Sequence, residues 1–386
     1  MGRTETMDHI RQRLLAHLED LGYTLGEDKL SSAENFDKVK IRKFYASRRI
    51  EREQRENAFV GANVDKLIGY FANGHEIVPA KIAIEVEEVE SGSWQGNLFR
   101  LATLIWSVPV SRGYGRRIRF LVWDRHIDKL VGVIALGDPV FNLKPRDEWI
   151  GWNTRDREER LCNVLDAYIL GAVPPYSQLI AGKLVAALVS SKEVNDVFRR
   201  KYAKQLGLIS KKAKHPKLVL VTTTSALGRS SVYNRLRLDG NTLFHSVGFT
   251  EGWGHFHISD AVFQEMKEFL SDIGHKYANG NRFGNGPNWR MRVIRAVMKE
   301  IGISQSYLNH GIRREIFAVP LATNFREILI GEQTRARWQL RSAADIGRAC
   351  VDRWVAPRAE RDGNESRAVT REVIRDLMVS NRNITF

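Results

Sequence analysis

The sequence predicts an α+β protein, with a mixed-sheet central domain flanked by N-terminal and C-terminal helical regions. Three observations carry that expectation. Strand-type runs crowd the middle of the chain, where residues 117–124 (RIRFLVWD) alternate and residues 130–136 (LVGVIAL) are continuously apolar. Helix-period apolar stripes mark the ends, as in Met7, Ile10, Leu14, Leu15, Leu18 and Leu21. A Gly/Asn-rich joint at residues 279–287 separates the strand-rich block from the helical remainder. The expected divisions are 1–94 (helical and basic), 95–278 (α/β core) and 287–386 (helical).

Taken in order, residues 5–22 read as an amphipathic helix stopped by Gly22, and the charge-rich residues 32–58 as a second helix. Residues 76–90 alternate in part and end in a Ser-Gly-Ser loop, and residues 97–106 are helix-like. The two middle runs, joined by a turn at 126–129, form an antiparallel hairpin. Residues 162–173 give another strand, which runs into Pro174-Pro175 and a helical stretch at 176–190. Residues 217–224 return as strand, followed by a helix opened by Ser230 or Ser231. A strand at 249–258 closes the block. Beyond the joint lie basic helices and a short strand at 316–320.

Composition narrows the function. A hydrophobic fraction of 43% excludes disorder along the whole chain, and 386 residues suggest two or three structural units. No run reaches the roughly 18 apolar residues that a membrane helix needs. The first residues lack the apolar stretch of a secretion signal, and two distant cysteines, Cys162 and Cys350, make no disulfide framework. The expectation is a cytoplasmic protein with no membrane association. Sixty Lys and Arg against 45 Asp and Glu leave a net charge of +15, which favours polyanionic partners. Eight basic residues fall between Lys38 and Arg55, with further clusters at 112–119 and 211–217. The competing account is that these are solvated faces paired with local acids.

Four segments are candidates for chemistry. Residues 290–314 read as helix, Gly-Ile-Ser turn and second helix, the layout that enters a DNA groove, presenting Gln305, Ser306, Asn309, Arg313 and Arg314. The polar strand exit at 222–231 offers Arg229 and Ser230 to a phosphate, or else makes a capped turn. Asp138, Asp147 and Asp166 could hold a divalent metal for phosphodiester cleavage, or pair with Arg146, Arg155 or Arg157. His255 and His257 share one face of the expected strand without a third ligand, so no metal is assigned. The expected phosphate or nucleic-acid contacts are Arg112, Tyr114, Arg116, Arg117, Arg119, Lys183, Arg229, Ser230, Arg313 and Arg314. Asp138, Asp166 and Tyr233 are the candidate catalytic residues, and no cofactor is identified.

Two resemblances add context. The turn Gln178-Leu179-Ile180-Ala181-Gly182-Lys183 resembles the acyl-CoA-binding turn of GNAT acyltransferases, Gln/Arg-x-x-Gly-x-Gly/Ala, with Ala181 and Lys183 replacing small residues. Tyr233 and Gly248-Phe249 resemble that fold's ending. The likeness, over about 117–260, implies a GNAT-like mixed sheet and, as an alternative function, acylation of a base, nucleotide or protein. The strings SVPVSRGYGRRIRF (107–120), LGDPVFNL (136–143) with Arg146-Asp147 and WIGW (149–152), DAY (166–168) through GAVPPYS (171–177) to GKLVA (182–186), TTTSALGRSSVYNRL (222–236) and HGIRR (310–314) together resemble the DruA family. That resemblance implies a part in the Druantia anti-phage defence system, beside other small proteins and a large helicase-like protein. With the charge, it makes a DNA-associating component the leading expectation, with the acyltransferase and a metal-dependent nuclease as alternatives.

Overall fold

The computed structural model of the chain describes residues 3–26, 30–32, 38–106, 108, 115–203, 215–280, 287–361, 363 and 365–379. In order these give α1 (Arg3–Asp20), β1 (Tyr23–Leu25), β2 (Leu30–Ser32), α2 (Lys38–Leu67), β3 (Ile84–Glu88) and α3 (Trp94–Ala102). Next come β4 (Arg117–Asp124), β5 (Lys129–Gly137), α4 (Lys144–Ile150), α5 (Thr154–Arg160), β6 (Val164–Ala172), α6 (Ala181–Ala187) and α7 (Lys192–Tyr202). They are followed by β7 (Leu220–Thr224), β8 (Arg237–Leu238), β9 (Asn241–Thr242), β10 (His245–Phe249), α8 (Asp260–Asp272) and α9 (Pro287–Glu300). The last elements are β11 (Glu315–Pro320), α10 (Phe325–Ile330), α11 (Ala343–Cys350), α12 (Ala356–Glu360) and α13 (Arg371–Val379). The chain divides into two units, residues 1–52, 226–228 and 249–314 in one, and 53–225, 229–248 and 315–386 in the other.

The larger unit is built on a seven-stranded mixed sheet of order β10-β11-β7-β6-β5-β4-β3. From β3 to β6 each neighbour is antiparallel, β6 and β7 are parallel, and β7 and β11 are antiparallel. A parallel pair needs a crossover, which α6 and α7 supply. Alternation along β4 sends Ile118, Phe120 and Val122 into one core and Leu121 and Trp123 into another. The continuous apolar run of β5 reflects burial on both faces, each fully buried Leu, Val or Ile contributing roughly 1.5–3 kcal/mol. A Cβ on Gly132 would lie 2.4 Å from the Gly171 carbonyl oxygen and 2.7 Å from Val185 on α6, so only glycine fits this contact. Below β6, β7 and β11, a third cluster joins Val164, Leu220 and Ala318 to Ile150 of α4 and Phe325 of α10.

The smaller unit buries the α1 stripe (Ile10, Leu14, Leu18) in the contact between α1 and α8, whose own core residues are Val262, Met266 and Leu270. Ser259 caps α8 by accepting from the Val262 N–H. His257 and His310 are buried here and held neutral, burial pushing them down to about 3 and about 2.

Three expectations fail on turn chemistry. Ser230 does accept from the Tyr233 N–H, but the segment it opens is one 3₁₀ turn, Tyr233–Arg235, and no α-helix. The 249–258 strand is replaced by β10 ending at Phe249. Gly252 and Gly254, at φ +74° and +150°, break the extended path, so His255 and His257 do not share a strand face. After α9 the second helix of the helix–turn–helix reading is a 3₁₀ turn, Gln305–Leu308, and Gly311 at φ +70° leads the chain toward β11. The 76–90 alternation yields a shorter strand, β3, because Pro79 opens a 3₁₀ turn before it.

Candidate nucleic-acid interface

The basic residues named from the sequence fall on several elements. Arg112 and Tyr114 lie outside the described residues. Arg116 directs its guanidinium inward, donating from Nε to Asp138 Oδ1 (2.7 Å), from Nη1 to the Cys162 carbonyl (2.7 Å) and from Nη2 to the Val164 carbonyl (3.2 Å). That engagement ties the start of β4 to β6 and leaves the side chain no free fork for a phosphate. Arg117 is exposed, and Arg119 stacks its guanidinium 5.6 Å from the Phe99 ring centre. Arg229 is exposed, whereas buried Ser230 gives its N–H to Glu315 and its hydroxyl oxygen to the turn. In the smaller unit, exposed Arg313 lies over Phe249 and Arg314 over Phe256.

The candidate catalytic groups are also engaged. Asp138 accepts twice from Arg116, through its Nε and its backbone N–H. Asp147 bridges the fully buried Arg146 and Arg157. Asp166 accepts from Thr222 Oγ1 at 2.8 Å, and burial pushes its carboxyl up to about 6 although Thr222 and Arg146 favour the ionised form. Tyr233 is stacked on Phe244 with ring centres 4.9 Å apart, and burial pushes its hydroxyl up to about 12. Among the described residues no group of three His, Cys, Asp or Glu side chains gathers to hold a metal ion.

One cluster in the larger unit differs from the rest. Lys183 on α6 holds its ammonium 5.2 Å from the Trp354 ring centre, and the Arg353 guanidinium lies 5.6 Å from that ring. Burial lowers the Lys183 pKa, and the nearby charges of Arg235 and Arg353 lower it further. Arg235 and Arg353 are exposed. Two cations thus lie on one indole with the charge of Arg235 acting on Lys183, and among the described residues none of the three has a carboxylate within ion-pair distance. Several other cations are balanced by acids, as in Arg100–Glu56, Arg125–Glu85, Arg290–Asp260 and Arg371–Glu76. Like charges held together without a counter-ion repel, and an incoming phosphate relieves that repulsion.

Of this cluster, sequence reasoning named Lys183 alone. Arg353 and Trp354 lie in a single π-helical turn, Val351–Val355, between α11 and α12. Such turns recur at functional sites, but nothing in the local sequence announces one. Arg235 stands in the 3₁₀ turn that replaced an expected helix, so its direction was not readable either.

The model of the family described as "Druantia protein DruA" matches residues 35–331. The "Druantia protein DruA" of Escherichia coli (strain UMEA 4076-1) is 47% identical over 354 residues, covering 92% of this chain and 88% of that protein. No solved structure matches the chain significantly. Among the described residues, no helix is long and apolar enough to cross a membrane.

Proposed function

The chain belongs to the DruA family, and on that premise we propose that it is a nucleic-acid-associating component of a Druantia-type antiviral defence system, working in the cytoplasm with other proteins of that system. The observation that carries the nucleic-acid part is the placing of Lys183 and Arg353 on Trp354, with the charge of Arg235 close to Lys183 and no acidic partner among the described residues. Cations contact phosphates and release counterions, while an indole offers a face to a base. In this reading Arg117, Arg119 and Arg229 add phosphate contacts within the larger unit, Arg313 supplies a separate contact in the smaller one, and Arg116 and Ser230 hold the framework.

The test is the salt dependence of binding to single-stranded and duplex DNA, for the wild type and for Lys183→Ala/Arg235→Ala/Arg353→Ala. Loss of three phosphate contacts reduces the slope of log K against log salt by about 2 for a single strand and about 2.7 for a duplex. An unchanged slope and affinity would remove the proposal.

A second reading has its own support. The acyltransferase resemblance is supported by the mixed character of the sheet, antiparallel from β3 to β6 with a parallel β6–β7 pair. The parallel pairing spans three residues, Val164–Asp166 against Leu220–Thr222, and Tyr233 packs on Phe317 of neighbouring β11. Thermal stabilisation by an acyl-CoA would favour acyl transfer on this scaffold; its absence would count against it.

A further inference from the structure

A cavity of about 490 Å³ opens between α7, the entry to β7 and the loop after α10. It is lined by Asn195, Arg199, Lys217, Thr334, Arg335 and Trp338, and no carboxylate lines it. We propose that this cavity binds a nucleotide unit, its base stacked on Trp338 and its phosphate held by Lys217, Arg335 and Arg199.

The lining fits both halves of such a ligand. Trp338 is 44% exposed, so its indole is open to a stacking partner. Lys217 donates to the Thr334 carbonyl, which places its ammonium at the cavity wall with further N–H donors. Arg199 is paired with Asp196 at 3.0 Å, but its side chain is 73% exposed, so the pair is weak and the guanidinium can share a second anion. Arg335 is exposed and has no side-chain partner among the described residues. The volume lies within the range of small-ligand sites.

The wall is also rigid. Asn324, 1% exposed, donates from Nδ2 to the Arg335 carbonyl (2.9 Å) and to Gln333 Oε1 (2.6 Å), and accepts from the Arg337 N–H (2.8 Å). Trp338 forms a bridge with Ala322, and the Gln339 N–H donates to the Leu321 carbonyl. A loop pinned by a buried amide presents Arg335 and Trp338 without further ordering, which favours binding. The cavity and the Trp354 cluster share no residue, so each can fail without the other.

Calorimetric titrations of the full chain with AMP and with a 5′-phosphorylated dT12 test it, using wild type, Trp338→Ala, Trp338→Phe and Arg335→Ala. The expected result is binding of one or both ligands, weakened about 5- to 150-fold by Trp338→Ala and largely restored by Trp338→Phe. The same loss is expected in the Lys183→Ala/Arg235→Ala/Arg353→Ala background, which separates this cavity from the Trp354 cluster. AMP binding identifies a free nucleotide as the source, and dT12 binding without AMP identifies a strand. Failure of the wild type to bind either ligand, or equal binding by wild type and Trp338→Ala, would overturn the proposal.

Discussion

Replacing Asp166 by Asn tests the electrostatics at the centre of the sheet. Asp166 sits on β6 opposite Thr222 of β7, and burial raises its carboxyl from 3.8 to about 6. A carboxyl raised in the folded state favours folding at low pH, and the contribution disappears as pH climbs through the folded value. Ionisation of Asp166 therefore costs ~3 kcal/mol at pH 7, about half as much at pH 5 and under about 1 kcal/mol at pH 4. Asparagine keeps an oxygen that accepts from Thr222 Oγ1 and carries no charge at any of these values. The Asp166→Asn variant should melt higher than wild type by about 6 °C at pH 7, at about 2 °C per kcal/mol for a unit of this size. The difference should shrink to about 1 °C at pH 4. Differential scanning calorimetry from pH 4 to pH 8 measures both arms. A shift that does not change with pH, or a variant less stable than wild type at pH 7, would refute the reasoning.

Three further outcomes rest on buried polar groups. Glu315 is 3% exposed and accepts from the Ser230 N–H, Asn234 Nδ2 and Ser246 Oγ, so Glu315→Ala leaves those donors without their acceptor and should cost roughly 2–3 kcal/mol, read as a lower melting temperature with faster amide exchange across 229–247. Arg146 donates to Asp147 and to the carbonyls of Val140 and Phe141, and Arg146→Ala, which leaves those acceptors buried, should destabilise by about 3–5 kcal/mol in denaturant or thermal unfolding. Asn324→Ala removes three hydrogen bonds and should speed hydrogen exchange in residues 333–339 while leaving the β4–β5 hairpin protected, as mass spectrometry would show.

The central strands were legible because their signal is local. Alternation in β4 and the apolar run of β5 each report burial of one or both faces, and a two-residue period survives without knowledge of the partner strand. The α1 stripe was readable for the same reason at helical period. The regions misread as helix after Ser230, as strand to residue 258 and as a second helix after Ile303 share a different physics. There the backbone is directed by glycine turns and buried acceptors, such as Glu315, that are distant in sequence.

The candidate sites divide in the same way. Net charge, family likeness and the presence of Lys183 in a turn after a strand were properties of the chain itself, since charge and composition do not depend on folding. Whether an arginine is available was not. Arg116 and Arg353 look alike in sequence, yet one is consumed by Asp138 and two carbonyls while the other stands exposed beside Trp354. Ion pairing is decided by distances of a few ångströms between residues far apart in sequence, so tertiary packing alone selects the cations left open to a ligand.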